Sequence, residues 1–273
     1  MSTDPAYSAV AAWFGSNRML AHHVGTLLEG CTWVGVPFAG GMSELLHIRA
    51  RSIVANDLHR HVVNLAKVMA DEKLGPQLYR ELRRMPLHPE VLADSQAFCR
   101  VVQPADEPDL ECAFNYFICA WMGRNGKAGT AGEFKGGISV RYDDGGGDSA
   151  IRFRNATASI PGLRRMLRRC TFDAIDFRRF LAKCKDEPNH GIYCDPPFPG
   201  PGDGYRHKFT IQDQTDLAEL LQVYRQAKVV IRYYDVPLIR SLYPEPHWHW
   251  LHLKGRKATN AEGPEVLITN LAS

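Results

Sequence analysis

An open, doubly wound α/β sheet that ends in an antiparallel hairpin is the fold this sequence predicts, and three observations predict it. Short apolar runs alternate with amphipathic segments along most of the chain, the pattern of parallel strands joined by helices. Three of the runs end in residues suited to ligand contact, and open parallel sheets bind ligands at the carboxyl ends of their strands. The last two runs have no helix between them, so they are expected to pair antiparallel.

Taken in order, residues 32–38 (TWVGVPF) read as a buried strand and 41–50 as a helix. Residues 52–57 (SIVAND) form a second strand, followed by a helix over 59–69. Residues 74–122 read as mostly helical, broken by Pro86, Pro89, Pro104 and Pro108. Nine glycines between Gly123 and Gly147 then exclude a stable helix or strand. The alternation resumes with a strand at 171–176, a helix at 177–185 and a strand at 191–194. In 216–226, Leu217, Leu220, Leu221 and Tyr224 fall on one helical face. Residues 228–234 (KVVIRYY) make the next strand, and 247–254 with 265–270 (EVLITN) make the closing hairpin.

A chain of 273 residues with 45% hydrophobic and 23% charged residues has the make-up of an ordinary globule and not of a disordered chain. No apolar run approaches the roughly 18 residues of a membrane span. Residues 1–5 lack the basic and apolar regions of a signal peptide, so a soluble, intracellular protein is expected. The seven cysteines are scattered without a C-x-x-C pair, which favours buried free thiols over disulfides or zinc. His247, His249 and His252 share a strand run, but no carboxylate or cysteine joins them at ligand spacing, so no metal site is expected.

The chemistry is concentrated at three strand ends. The first runs into Pro37-Phe38-Ala39-Gly40-Gly41, where glycine lets backbone approach a ligand closely. The second ends in Asp57, an acceptor for ribose hydroxyls. Together they suit a nucleoside-containing cofactor, a signal that nicotinamide enzymes would share. The third ends in Asp195-Pro196-Pro197-Phe198. Two prolines fix φ and donate no N–H, so a carboxylate, the Pro196 carbonyl and an aromatic ring are held in one mouth. Two acceptors can take both hydrogens of a planar amine while Phe198 stacks on its ring.

These segments resemble the Dam-like (D12) class of DNA adenine-N6 methyltransferases, and the resemblance covers nearly the whole chain. Residues 13–17 (WFGSN), followed by Arg18, are similar to the family's Trp-x-Gly-Gly-Lys segment, with Asn17 where lysine is usual. Residues 38–42 (FAGGM) resemble its Phe-x-Gly-x-Gly turn, with Met42 in place of glycine. Asp57 is similar to the family's ribose-binding acid, Asp176-Phe177 to its adenine-contacting pair, and 195–198 to its Asp-Pro-Pro-Tyr motif with Phe for Tyr. Tyr205, Phe209 and residues 265–270 also resemble family positions, whereas Arg232 stands where a small residue is usual.

The resemblance implies a Rossmann-like methyltransferase sheet with a helical and loop insertion for target recognition. It implies S-adenosylmethionine as cofactor, bound by Trp13, Asn17, Phe38, Gly40, Asp57, Asp176, Phe177 and Asp195. Catalysis would fall to Asp195, Pro196, Pro197 and Phe198, acting on an adenine flipped from the duplex. The cofactor motif precedes the catalytic one, the order of the family's alpha group. Residues 1–73 and 150–273 would then form the cofactor-binding catalytic domain and 74–149 the recognition insertion.

The partner expected is double-stranded DNA. Arg164, Arg165, Arg168 and Arg169 fall on one helical face, a candidate phosphate stripe or a solvated face. Arg124 and Lys127 in the glycine-rich loop could reach phosphates or base edges, and Tyr205 joins them as a candidate DNA contact. A monomer is expected, with a dimer left open, in the cytoplasm of a prokaryotic or phage-infected cell, where a restriction-modification pairing is one setting. The same acceptor geometry serves cytosine N4 or an amine in RNA, and a DNA-binding relative without catalysis is a further reading.

Overall fold

The protein's structure, a computed structural model, describes residues 9–15, 18–123, 127–139, 148–200, 204–256 and 262–271. Among these residues one sheet runs in the strand order β3-β2-β1-β4-β5-β7-β6. The strands are β1 (Trp33–Val36), β2 (Ser52–Asn56), β3 (Cys170–Asp173), β4 (His190–Cys194), β5 (Lys228–Tyr234), β6 (His249–Arg256) and β7 (Glu262–Thr269). Strand β1 pairs parallel with both β2 and β4, and β4 pairs parallel with β5. Strand β7 is antiparallel to β5 and to β6, so the expected closing hairpin forms. Strand order reverses at β1, whose neighbours are β2 and β4. The crevice beyond the ends of β1 and β4 is where such sheets take ligands.

The helices are α1 (Arg18–Leu27), α2 (Arg60–Ala70), α3 (Leu74–Arg84), α4 (Pro89–Val101), α5 (Leu110–Met122), α6 (Ser149–Leu167), α7 (Phe177–Leu181), α8 (Ile211–Leu221) and α9 (Pro237–Leu242). Two compact units share them. The sheet unit draws on residues within 17–39, 44–58 and 173–273, and the helical unit on 1–16, 40–43 and 59–172. The helical unit is wider than the insertion expected at 74–149, because α2 and α6 pack against α3 and α5 within it. In the sheet unit, Ile192, Val229, Ile231, Val266 and Ile268 bury against Phe180, Leu217, Leu221 and Trp248. Among the described residues no helix is long and apolar enough to cross a membrane.

Several elements differ from the sequence reading for local reasons. The helix expected over 41–50 is absent; only a 3₁₀ turn, Glu44–Leu46, forms there. Gly40 at φ 46° and Met42 at φ 61° are left-handed, and an α-helix cannot run through them. Helix α8 starts at Ile211 and not at 216, because Thr210 and Asp213 close a reciprocal capping box ahead of it. It stops at Leu221, and Tyr224 instead buries beyond the helix with its hydroxyl donating to the Leu181 carbonyl at 2.9 Å. Strand β3 ends at Asp173, short of the expected 176, because Asp176 caps α7 by accepting from the Arg178 N–H at 2.9 Å. Pro89 begins α4 at its first turn, where a missing N–H costs nothing.

Candidate active site

The ends of β1, β2 and β3 are held together by one side chain. Asn56, the last residue of β2 and 1% exposed, donates through Nδ2 to the carbonyls of Pro37 and Ile175, each at 2.9 Å. Its Oδ1 accepts from the Ile175 N–H at 2.9 Å. The residues that follow these three anchor points are Phe38, Asp57 and Asp176. Asn56 therefore fixes the spacing between an aromatic ring and two carboxylates. Sequence reasoning singled out Asp57 and passed over Asn56, although a polar residue closing a buried strand was a usable signal.

Phe38, Phe177 and Phe209 form a ring cluster, with centroids 5.4–5.5 Å apart. Phe177 is only 4% exposed, and the Arg178 guanidinium covers its face at 4.3 Å. Phe38 stays half-buried, so it is the ring of the pair better placed to meet a ligand, with Phe177 behind it. Asp176 spends its oxygens on the Arg178 backbone and side chain. Arg178 in turn binds Asp213 and Asp216 on α8. Asp57 is half-buried, and its N–H donates to the Asp173 carbonyl at 3.3 Å.

Gly40 and Trp13 belong to the helical unit and pack on each other. A Cβ at Gly40 would stand 2.8 Å from the Trp13 indole nitrogen, and the positive φ there also requires glycine. Trp13 lies edge-on to His59 at 5.4 Å. Its described role is thus to back the glycine turn. Asn17 lies outside the described residues.

Beyond β4 the Asp195-Pro196-Pro197-Phe198 turn is pinned from two sides. Gln214 on α8, 1% exposed, donates to the Pro197 carbonyl at 2.9 Å and receives the Tyr233 hydroxyl. Arg232 on β5 donates through Nη1 to Oδ2 of Asp195 at 2.9 Å and through Nη2 to Oε2 of Glu265 at 3.2 Å. The guanidinium also lies 5.3 Å from the Phe198 ring centre. Tyr234 meets Phe198 edge-on at 4.8 Å. Pro196 is buried, whereas Phe198 keeps part of its surface open.

Burial pushes the Asp195 carboxyl well above the ordinary carboxylate range; Arg232 pulls it back, while Glu44 and Glu265 push it further up. Burial alone would lower the Arg232 guanidinium, but Asp195, Glu265 and Glu44 outweigh it and keep it charged. Gln214, Glu44 and the engagement of Arg232 were not read from the sequence. Gln214 left a signal there, as a polar residue on the same helical stripe as Leu217 and Leu221, and Arg232 one only as an unexpected residue.

The candidate DNA contacts are scattered. Arg164 donates to the carbonyls of Asp71 at 3.2 Å and Glu72 at 3.3 Å, and Arg168 pairs with the Glu72 carboxylate at 2.6 Å. Helix α6 ends at Leu167, so Arg168 caps it and Arg169 lies beyond. The four arginines do not make the single outward stripe read from the sequence; Arg165 and Arg168 are exposed, Arg164 and Arg169 half-buried. Lys127 is exposed in the helical unit, while Tyr205 is half-buried in the sheet unit. Arg124 lies outside the described residues.

A family model described as D12 class N6 adenine-specific DNA methyltransferase matches residues 13–259. The chain is also similar to the retron Ec67 DNA adenine methylase of Escherichia coli, at 24% identity over 258 residues, covering 90% of this chain and 84% of that protein.

Proposed function

Because the chain belongs to the D12 class of N6 adenine-specific DNA methyltransferases, we propose that the Asp195–Phe198 turn is where it holds the adenine amine for methylation. The observation that carries this is the placement of Asp195 and Phe198 just past β4, at the strand-order reversal, with Phe38 and Asp57 at the ends of the strands on the other side of it.

The residues at those strand ends fit S-adenosylmethionine. Phe38 offers a ring face to the adenine and Asp57 accepts from ribose hydroxyls. Asp176 and Phe177 brace this wall. When bound, S-adenosylmethionine supplies a methyl group carried on a sulfonium. The chain's own part is to present the nucleophile. Oδ2 of Asp195 is occupied by Arg232, so Oδ1 and the Pro196 carbonyl are the acceptors for the two amine hydrogens. Drawing on both hydrogens bends the amine out of conjugation and frees its lone pair to attack, and the proton the methylated amine then sheds passes through Oδ1 of Asp195 to solvent. Phe198 stacks on the flipped base and sets its plane, so catalysis rests on positioning and electrostatics.

We assign target recognition on double-stranded DNA to the helical unit, with Lys127 and Arg165 among its exposed cations. The protein would act as a monomer in the cytoplasm of a prokaryotic or phage-infected cell. The test is incubation with methyl-labelled S-adenosylmethionine and duplex DNA, followed by nucleoside digestion and mass spectrometry. N6-methyladenine is expected. Label in N4-methylcytosine, or transfer to RNA and not duplex DNA, would overturn the assignment.

A further inference from the structure

We infer that Arg232 is a positioning residue for methyl transfer, a single guanidinium that holds Asp195 and Phe198 in register and is itself anchored by Glu265. The inference rests on the role proposed above for the Asp195–Phe198 turn.

Sheet register explains how one side chain reaches all three partners. Cys194 on β4 stands opposite Ile231 on β5, so the next residues, Asp195 and Arg232, lie side by side. On the other flank Arg232 pairs with Leu267 of β7, and Glu265 is the diagonal neighbour on the same face. The guanidinium therefore bridges carboxylates on two flanking chain segments while its plane approaches Phe198. A planar fork with fixed N–H directions suits this task, since each bond it makes constrains the orientation of the others.

Stability alone does not account for this arrangement. Arg232 is 3% exposed and Glu265 2% exposed, and burying such charges costs about as much as their attraction returns. Apolar residues of the same volume would serve a core equally well. What the charges do provide is orientation: Oδ2 of Asp195 is committed to Arg232, which leaves Oδ1 as the oxygen to accept from the amine. Arg232 also pulls Asp195 toward the ionised form, against burial and the Glu265 charge; an acceptor needs that form, since a protonated carboxyl would present a donor. Among the described residues, the groups acting on that carboxylate include Arg232, Tyr233 and Tyr234 from β5, Glu265 from β7, Tyr193 and Cys194 from β4, Glu44 from the 3₁₀ turn and Tyr205 from the segment before α8. Arg232 is the one cation among these groups.

The experiment is single-turnover methyl transfer as a function of pH, with cofactor affinity and thermal unfolding measured in parallel. In Arg232→Met the acid limb of the rate profile should move to higher pH by about 1–3 pH units, the size of a close opposite charge acting on an aspartate. On the acid side of both limbs, a limb displaced by about one pH unit leaves the variant about tenfold slower than wild type. Glu265→Gln removes a like charge while keeping the hydrogen bond to Arg232, so its limb should move the other way, to lower pH. Arg232→Lys should restore the limb but leave the high-pH plateau low, because an ammonium cannot hold carboxylate and ring together. Cofactor affinity should change less than rate in all three.

Opposite displacements in Arg232→Met and Glu265→Gln are a signature that mere loss of packing would not produce. An unmoved limb in both, or an Arg232→Met variant with the wild-type profile, overturns the inference. Should Arg232→Met fail to fold, Glu265→Gln decides alone: a limb that does not move to lower pH refutes the assignment. If the wild-type protein makes no N6-methyladenine, the proposed function itself fails; if it does and the variants behave as wild type, only the role of Arg232 falls.

Discussion

Replacing Asn56 with alanine should loosen the wall on which the cofactor is proposed to rest. Three hydrogen bonds of 2.9 Å are lost at once, two donated by Nδ2 and one accepted by Oδ1. The Pro37 carbonyl is buried, so leaving it without a partner costs about 1–3 kcal/mol, and the two half-buried bonds to Ile175 add about 0.5–1.5 kcal/mol each. One side chain makes all three, so the terms overlap and a loss of about 3 kcal/mol is expected. Urea unfolding would measure it, and calorimetry would follow S-adenosylmethionine binding in the same samples. Binding should weaken as well, because Phe38, Asp57 and Asp176 each follow one of the three anchored positions. Asn56→Asp gives a sharper contrast. It keeps one acceptor but turns a carboxylate oxygen toward two carbonyls, so it should destabilise more than alanine. A loss below about 1 kcal/mol, or an aspartate variant more stable than the alanine one, would refute this reasoning.

The remaining predictions concern charge. Arg165→Gln should flatten the slope of log DNA affinity against log salt by about 0.9, the release of one ion from duplex DNA. Arg164→Gln should instead lower stability by about 1–2 kcal/mol through its lost bonds to the 71–72 carbonyls, with the slope nearly unchanged; salt titrations of both variants separate the two outcomes. Asp186 holds the start of β5 by accepting from the N–H groups of Arg225, Gln226 and Ala227 at 2.8–3.0 Å. Burial would raise its carboxyl, but those donors outweigh it and hold it below the ordinary 3.8. Its folded pKa is depressed, so the stabilisation is complete above the ordinary value and is lost as pH falls through the depressed one. The stability gap between wild type and Asp186→Asn, followed by thermal unfolding against pH, should therefore close on the acid side; a gap that widens there would contradict the assignment.

What the sequence showed and what it hid follow from the range of each interaction. Strands such as β5 announce themselves because an apolar run between turn residues is local information, and so does the Asp195–Phe198 turn, where proline fixes the backbone by itself. The expected helix over 41–50 failed because the left-handed backbone at Met42 depends on its surroundings, not on the residue's own preference. Asn56 was missed because its bonds to Ile175 span 119 residues of chain. Arg232 stood out in the sequence only as an unexpected residue. Its meaning appears once β4, β5 and β7 lie side by side and a lone charge becomes a bridge between two carboxylates. The arginine face of α6 shows the converse: periodicity placed the four residues on one helix, but it could not show that Asp71 and Glu72 would engage two of them.

In the proposed mechanism methyl transfer depends most directly on Asp195, and the measurement is the single-turnover rate of transfer to duplex DNA by Asp195→Asn, with S-adenosylmethionine binding followed by calorimetry. Asparagine keeps the shape but its amide loses the charge that binds Arg232 and grips the amine. The rate should fall by about 10²–10³ or more, the order seen when a positioned hydrogen-bonding group is removed from a reacting centre, while cofactor affinity falls only modestly. A variant that keeps a tenth of the wild-type rate, or one that loses cofactor binding and rate in equal measure, would contradict the assignment of Asp195 to the target amine.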